Sequence, residues 1–156
     1  MIFLIVPVLL MAADLGLKYY LNKNREALEG KEIAGGKARL HFLYNRGFAG
    51  NRLENRPNTV KCVSAGSVLL FAAYFAVTLR TKGQQLWKLC LAAALGGALG
   101  NTAERLAKGA VTDYLQPVRK GKKGKYVYNL ADLFIVAGSA AGILAVLADL
   151  ITSWKK

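Results

Sequence analysis

One histidine and two cysteines are the whole stock of imidazole and thiol metal ligands in this 156-residue chain, and acidic residues number nine against 22 lysines and arginines. His41 cannot build a metal site by itself, and no HExxH run occurs. Cys62 and Cys90 form no CxxC pair and no metal spacing. Each falls near the start of an apolar run, and the two runs pass in opposite directions, so the thiols are expected near opposite faces of a bilayer. That separation is far beyond the ~7 Å a disulfide tolerates, and both read as reduced packing residues. No Ser-His pair and no nucleotide-binding glycine loop stands in the chain. No metal and no cofactor is expected.

What is present is apolar, blocked and basic. The chain is 54% hydrophobic and 20% charged, with a net charge of +13 and a mean hydropathy of +0.27. The length suits a single domain, 1–156, and the apolar fraction excludes wholesale disorder. A soluble nucleic-acid binder can match the charge, but it would disperse its apolar residues through a core. Here they form long runs at about 2–21, 62–79, 86–103 and 133–154, close to the roughly 20 residues that cross a hydrocarbon core of about 30 Å. The fold class expected is mainly α, an integral-membrane bundle of four transmembrane helices. The first run lacks a positive segment before it, and Asp14 and Lys18 would sit oddly after cleavage. An uncleaved helix is therefore expected rather than a signal peptide.

Loops of about 22–61 and 104–132 connect the runs. In the first, Ala38-Arg39-Leu40-His41-Phe42-Leu43-Tyr44 alternates apolar with polar or basic residues before Asn45-Arg46-Gly47. That pattern predicts a strand ending in a turn, and with it a small sheet beside the membrane. In the second, residues 120–125 read as a flexible basic turn. The two loops together carry sixteen lysines and arginines, whereas Arg80, Lys82, Lys88, Lys155 and Lys156 lie on the other side. The positive-inside rule would place the two large loops in the cytoplasm.

Ionisable groups within spans are costly and point to function. Asp14 and Lys18, at i and i+4, share a helical face and can pair, either to anchor the helix or to serve a site. Gly96 and Gly100 permit close approach of another helix. Asn101 and Arg105 share a face at the membrane boundary, where an amide and a guanidinium could fix a neighbouring carboxylate, and Glu104 lies between them. Asp113 follows the third run, and Asn129 and Asp132 open the fourth. Asn129 and Asp132 have the spacing of a helix cap followed by an acidic residue that suits the helix dipole. The third and fourth helices are antiparallel neighbours, so Asp113 and Asp132 fall on one membrane face and can converge. Close carboxylates share one proton. One can then act as base toward water while the other donates to a peptide carbonyl, which is the logic of an aspartic protease.

These residues resemble the motifs of signal peptidase II, the bacterial lipoprotein signal peptidase family. Asp14-Leu15-Gly16-Leu17-Lys18 resembles its Asp-x-x-x-Lys, and Tyr44-Asn45-Arg46-Gly47-Phe48-Ala49 its Asn-x-Gly block. Residues 96–105 followed by Val111-Thr112-Asp113-Tyr114 resemble its Gly-Asn-x-x-Asp-Arg and Val-x-Asp-Phe blocks, and Asn129-Leu130-Ala131-Asp132 matches its Asn-x-Ala-Asp. Four blocks in order, on four spans, make the resemblance specific. It implies a multi-pass aspartic endopeptidase of the bacterial plasma (inner) membrane with both termini cytoplasmic. That enzyme cuts diacylglyceryl-modified prolipoproteins before the lipidated cysteine.

In that resemblance Asp113 and Asp132 take the catalytic positions. Asn45, Gly47, Asn101, Glu104, Arg105 and Asn129 fall in the blocks around them, Asp14 and Lys18 support the site, and an extracytoplasmic sheet cradles the substrate. The expected partners are lipid-modified prolipoproteins and membrane phospholipids, with no nucleic acid, and the expected state is a monomer. Two departures stand out, Glu104 in place of the family's usual Asp and Phe48-Ala49-Gly50 in place of Ala-Ala-Phe. They leave a non-catalytic lipid- or lipoprotein-binding homologue as the alternative. A small proton-relay transporter using Asp14, Lys18 and Asp132 is a third reading, with no inverted repeat in its favour.

Overall fold

The computed structural model of the protein describes residues 2–154. Its elements are α1 (Ile2–Lys23), α2 (Arg25–Leu28), β1 (Glu32–Ile33), β2 (Ala38–Asn45), a 3-10 turn at Ala49–Asn51, α3 (Pro57–Leu79), α4 (Gln85–Lys108), β3 (Val111–Arg119), β4 (Lys122–Lys123) and α5 (Leu130–Trp154). Lys155 and Lys156, counted above with the basic residues of one side, lie outside the described residues.

Helices α1, α3 and α5, of 22, 23 and 25 residues, are long and apolar enough to cross a membrane. At 1.5 Å per residue each reaches about 33–38 Å. Leu4, Leu69, Leu70, Val136 and Leu144 stand exposed along them. So broad an apolar exterior suits lipid and not water.

Four such helices were expected, and three of the described helices meet that measure. The 24-residue α4 falls short of the apolarity of a span, because Lys88, Asn101, Glu104, Arg105 and Lys108 interrupt a sequence of small residues. Its surroundings give the reason. Helix α4 packs against α1, α3 and α5 and holds twelve buried residues, against four in α1, four in α3 and three in α5. An enclosed helix needs small side chains more than apolar ones. A Cβ on Gly96 would lie 2.9 Å from the Pro7 carbonyl oxygen of α1, and one on Gly97 would strike the Ala131 carbonyl oxygen of α5. The backbones meet where the glycines are.

Helix boundaries also move. α3 starts at Pro57, α4 continues to Lys108 where Gly109 (φ 77°) ends it, and α5 begins at Leu130. Glu104, Arg105 and Asp132 are thus helical. The expected strand is present as β2, and the second loop, in which only the 120–125 turn was read, contributes β3 and β4. The antiparallel sheet has the order β1-β2-β3-β4. Leu43 stands opposite Asp113 and Asn45 opposite Val111, after a register shift between Leu40 and Leu43. Leu40, Phe42 and Tyr114 of the sheet bury against Leu21 of α1, which fixes the sheet to the end of the bundle. Both cysteines are free, Cys62 exposed and Cys90 buried.

Candidate active site

The N-terminus of α5 is built by a reciprocal cap. The Asp132 backbone N–H donates to Asn129 Oδ1 at 2.9 Å, and the Asn129 N–H donates to Asp132 Oδ2 at 3.1 Å, satisfying donors that a helix start leaves open. With its oxygen so engaged, the Asn129 amide turns its Nδ2 outward, donating to Asp113 Oδ1 at 2.6 Å. Capping and linking the two carboxylates are done by one side chain. Asp113 Oδ2 accepts from Asn45 Nδ2 at 3.3 Å, as the pairing of β2 with β3 allows. Asn45 is oriented in turn by its Oδ1, which accepts the Gly47 N–H at 3.0 Å. A Cβ on Gly47 would collide with the Arg52 carbonyl oxygen.

Behind Asp132 stands α4. Asn101 Nδ2 donates to Asp132 Oδ1 at 2.8 Å, and Asn101 Oδ1 accepts from Lys18 Nζ at 2.7 Å. Because an ammonium only donates, Lys18 decides which end of the amide faces Asp132. Lys18, 1% exposed, also lies 2.8 Å from Asp14 Oδ2 and 3.2 Å from Glu104 Oε2. The remaining oxygen of Asp14 accepts the Ala131 N–H at 3.0 Å, tying α1 to the first turn of α5. The pair expected from spacing exists, and its ammonium reaches the candidate site.

Glu104 is spent on β3. Its Oε2 accepts the Thr112 N–H at 3.0 Å and its Oε1 the Thr112 hydroxyl at 2.7 Å, with Lys108 Nζ at 3.1 Å. The extra methylene relative to aspartate is taken up in reaching the strand beside Asp113. For Arg105 the expectation needs correcting. Its guanidinium fixes no carboxylate among the described residues. Instead Nη2 donates to the Gly47 carbonyl at 2.9 Å, Nη1 to Ser64 Oγ at 3.3 Å, and the group lies 5.8 Å from the Phe48 ring centroid. It holds the loop that follows β2, 58 positions away in sequence.

A cavity of ≈ 560 Å³ opens between α3, α4, α5 and the sheet, with Asp113, Asp132, Asn45, Asn101 and Asn129 on its wall. Val68, Ile135 and Val136 line its helical end, and Phe48 and Tyr126 its loop end. Asp113 is 4% exposed. Burial first, and then the charge of Asp132, pushes its carboxyl up to about 6, against the opposing hydrogen bonds from Asn129 and Asn45. Ser64 and Tyr126 were not singled out from sequence. A serine in an apolar run and a tyrosine after a lysine turn carry no signal of their own. His41 pairs with Glu29 at 2.8 Å on the outer face of the sheet. Among the described residues no three of His, Cys, Asp and Glu gather as a metal site.

A sequence profile of the signal peptidase (SPase) II family matches residues 6–148. The chain belongs to the signal peptidase II family. Three curated relatives are each named lipoprotein signal peptidase. That of Methylobacterium sp. (strain 4-46) is 35% identical over 107 residues, 69% of this chain and 64% of the relative. That of Moorella thermoacetica is 33% identical over 137 residues, 87% and 86% of the two chains. The Francisella tularensis subsp. novicida protein is 31% identical over 156 residues, 98% and 94%. Two solved structures, both described as a bacterial membrane enzyme, superpose with TM-scores of 0.80 and 0.77 at 21% and 20% identity. They cover 99% and 94% of this chain, and 91% and 93% of their own. At that identity they speak for the fold alone.

Proposed function

We propose that this protein is an aspartic endopeptidase that removes the signal peptide from diacylglyceryl-modified prolipoproteins, cleaving before the lipidated cysteine. The observation that carries the reading is the joining of Asp113 and Asp132 through Asn129 on one cavity wall. Membership of a protease family supports it, as do the names of the relatives.

The carboxylates differ in ways that suggest their roles. Asp113 holds the shared proton, because burial and its partner's charge both favour the neutral form. Its Oδ1 is engaged by the short bond from Asn129, whereas the contact from Asn45 to Oδ2 is long. Oδ2 is therefore the atom that donates to the scissile carbonyl. Asp132, with one donor on each oxygen and a place in the first turn of α5, takes a proton from the attacking water. The tetrahedral diol then collapses: Asp132 passes its proton to the amine nitrogen as the C–N bond breaks, and one diol hydroxyl returns a proton to Asp113, which restores the starting state of the pair.

In this reading the whole chain is one membrane domain acting as a monomer. Helix α4 crosses as the fourth span, screened from lipid by the other three. Both termini face the cytoplasm, and 22–61 and 104–132 lie outside. The sixteen basic residues of those segments oppose the positive-inside tendency. Contact with anionic headgroups, ~1 kcal/mol for each basic residue near the surface, would offset it.

The test is incubation of the purified protein with a lipid-modified prolipoprotein, beside Asp113→Asn and Asp132→Asn. Cleavage by the parent and its loss in both variants is expected. Near-parental activity in either variant removes the dyad, and binding by the parent without turnover leaves the non-catalytic alternative.

A further inference from the structure

The loop end of the cavity continues into a second concavity lined by Phe48, Ala49, Gly50, Arg52, Lys125 and Tyr126. Four of these, Phe48, Ala49, Gly50 and Tyr126, also line the cavity that holds the carboxylates. The walls come from two loops far apart in sequence and meet closely. An ideal Cβ on Gly50 would sit 3.4 Å from Cε1 of the Tyr126 ring. Phe48 is held by the Arg105 guanidinium, and Lys125 Nζ lies 5.5 Å from the Tyr126 ring centroid. Arg52 and Lys125 are the charged groups of this concavity, and neither has a carboxylate within ion-pair distance among the described residues. Two unneutralised cations on aromatic walls form a receptor for a carboxylate.

We propose that Arg52 and Lys125 select substrates carrying an acidic residue in the first positions after the lipidated cysteine, on the mature side of the cleaved bond. This inference rests on the proteolytic reading above. The cavity is polarised along its length. Its helical end is apolar, at Val68, Ile135 and Val136, and suits acyl chains and the signal segment; the cations stand at the end formed by loops. A chain lying across Asp113 and Asp132 with its lipid in the helical end leaves toward Arg52 and Lys125. The diacylglyceryl group has no phosphate, so the anion that reaches the concavity is a side-chain carboxylate.

The experiment uses the full-length protein in lipid nanodiscs of zwitterionic lipid. Two lipid-modified prolipoprotein substrates differ only by Asp or Ser in the two positions after the cysteine. The parent is expected to favour the Asp substrate by about threefold to tenfold in kcat/KM, chiefly through KM, as one or two exposed ion pairs allow. In Arg52→Gln/Lys125→Gln that ratio falls to near one, and in Arg52→Glu/Lys125→Glu it falls below one, so that the Ser substrate is preferred. Lys122→Gln/Lys123→Gln removes the same charge from the neighbouring β4 and should leave the ratio in place. A parental ratio near one overturns the proposal and leaves the protease intact. An equal fall in the β4 variant replaces the proposed receptor with a general field of the basic loops. A parent that cleaves neither substrate overturns both readings.

Discussion

Replacing Asp113 with asparagine should stabilise this protein at neutral pH while removing its activity. The native carboxyl is raised from 3.8 to about 6, first by burial and then by Asp132. A folded value above the unfolded one means that the native state keeps its proton where the unfolded chain has released it. The penalty is therefore absent below pH 3.8, grows between 3.8 and 6, and is complete above 6. At about 1.4 kcal/mol per tenfold change in proton affinity, holding Asp113 ionised costs about 3 kcal/mol. Asparagine escapes that cost but brings one of its own. Asn45 Oδ1 is committed to the Gly47 N–H, so its amide cannot turn, and two NH2 groups face each other at a loss of about 1 kcal/mol. The balance is a gain of about 2 kcal/mol, or roughly 4–8 °C in thermal midpoint for a domain of this size. Thermal unfolding in detergent at pH 7.5, 6, 5 and 4 measures it, with Asp149→Asn, an exposed aspartate of α5, as the control. The gain should shrink steadily toward pH 4. A lower midpoint at pH 7.5, or a gain that ignores pH, would refute the account of a proton held by burial and a like charge.

Cleavage should lose rate as pH rises through about 6, since the shared proton leaves the pair there, and a pH–rate profile flat from pH 5 to 8 would contradict a donor role for Asp113. Lys18→Met leaves the buried Asp14 without its cation and Glu104 with Lys108 alone, a loss of about 3–5 kcal/mol; the yield of folded protein should collapse, and Asp14→Asn/Lys18→Met should recover part of it. Gly97→Val drives a side chain into the Ala131 carbonyl and should part α4 from α5, with overpacking of about 1–3 kcal/mol and kcat falling more than KM, because Asn101 and Asp132 sit on the two helices. In intact cells a protease site placed within 120–125 should be cut from outside, and protection there would reverse the proposed orientation.

The spans at each end of the chain were legible because lipid demands long apolar runs and little else resembles one. The Asp14–Lys18 pair was legible from i,i+4 spacing, and the meeting of Asp113 with Asp132 from the antiparallel course of two helices joined by one loop. Strand β3 was not. Its first four residues are all buried, so no alternation marks it, and Pro117 reads against a strand even though it pairs with Ala38. The partner of Arg105 was equally hidden. Spacing on α4 could place the guanidinium on the face of Asn101, but a carbonyl 58 positions back reaches it only through the tertiary placement of a loop. Nothing in a lysine-rich turn marks Tyr126 as a cavity wall.

That α4 fails as an apolar span and that it carries much of the site have one cause. A helix that packs on α1, α3 and α5 exchanges lipid for protein on most sides, so its residues answer to neighbouring backbones and side chains rather than to hydrocarbon. Small residues bring α1 and α5 within reach, and at that distance Asn101 and Glu104 can share the single ammonium of Lys18. The polar residues that lower its apolarity are those with partners waiting: Lys88 donates to the Thr81 carbonyl at one end, and Asn101, Glu104 and Arg105 hold Asp132, β3 and the Gly47 loop at the other. On a lipid-facing helix each would cost several kcal/mol. Enclosure removes that penalty, and it concentrates polar groups at the end of the bundle where the two carboxylates meet.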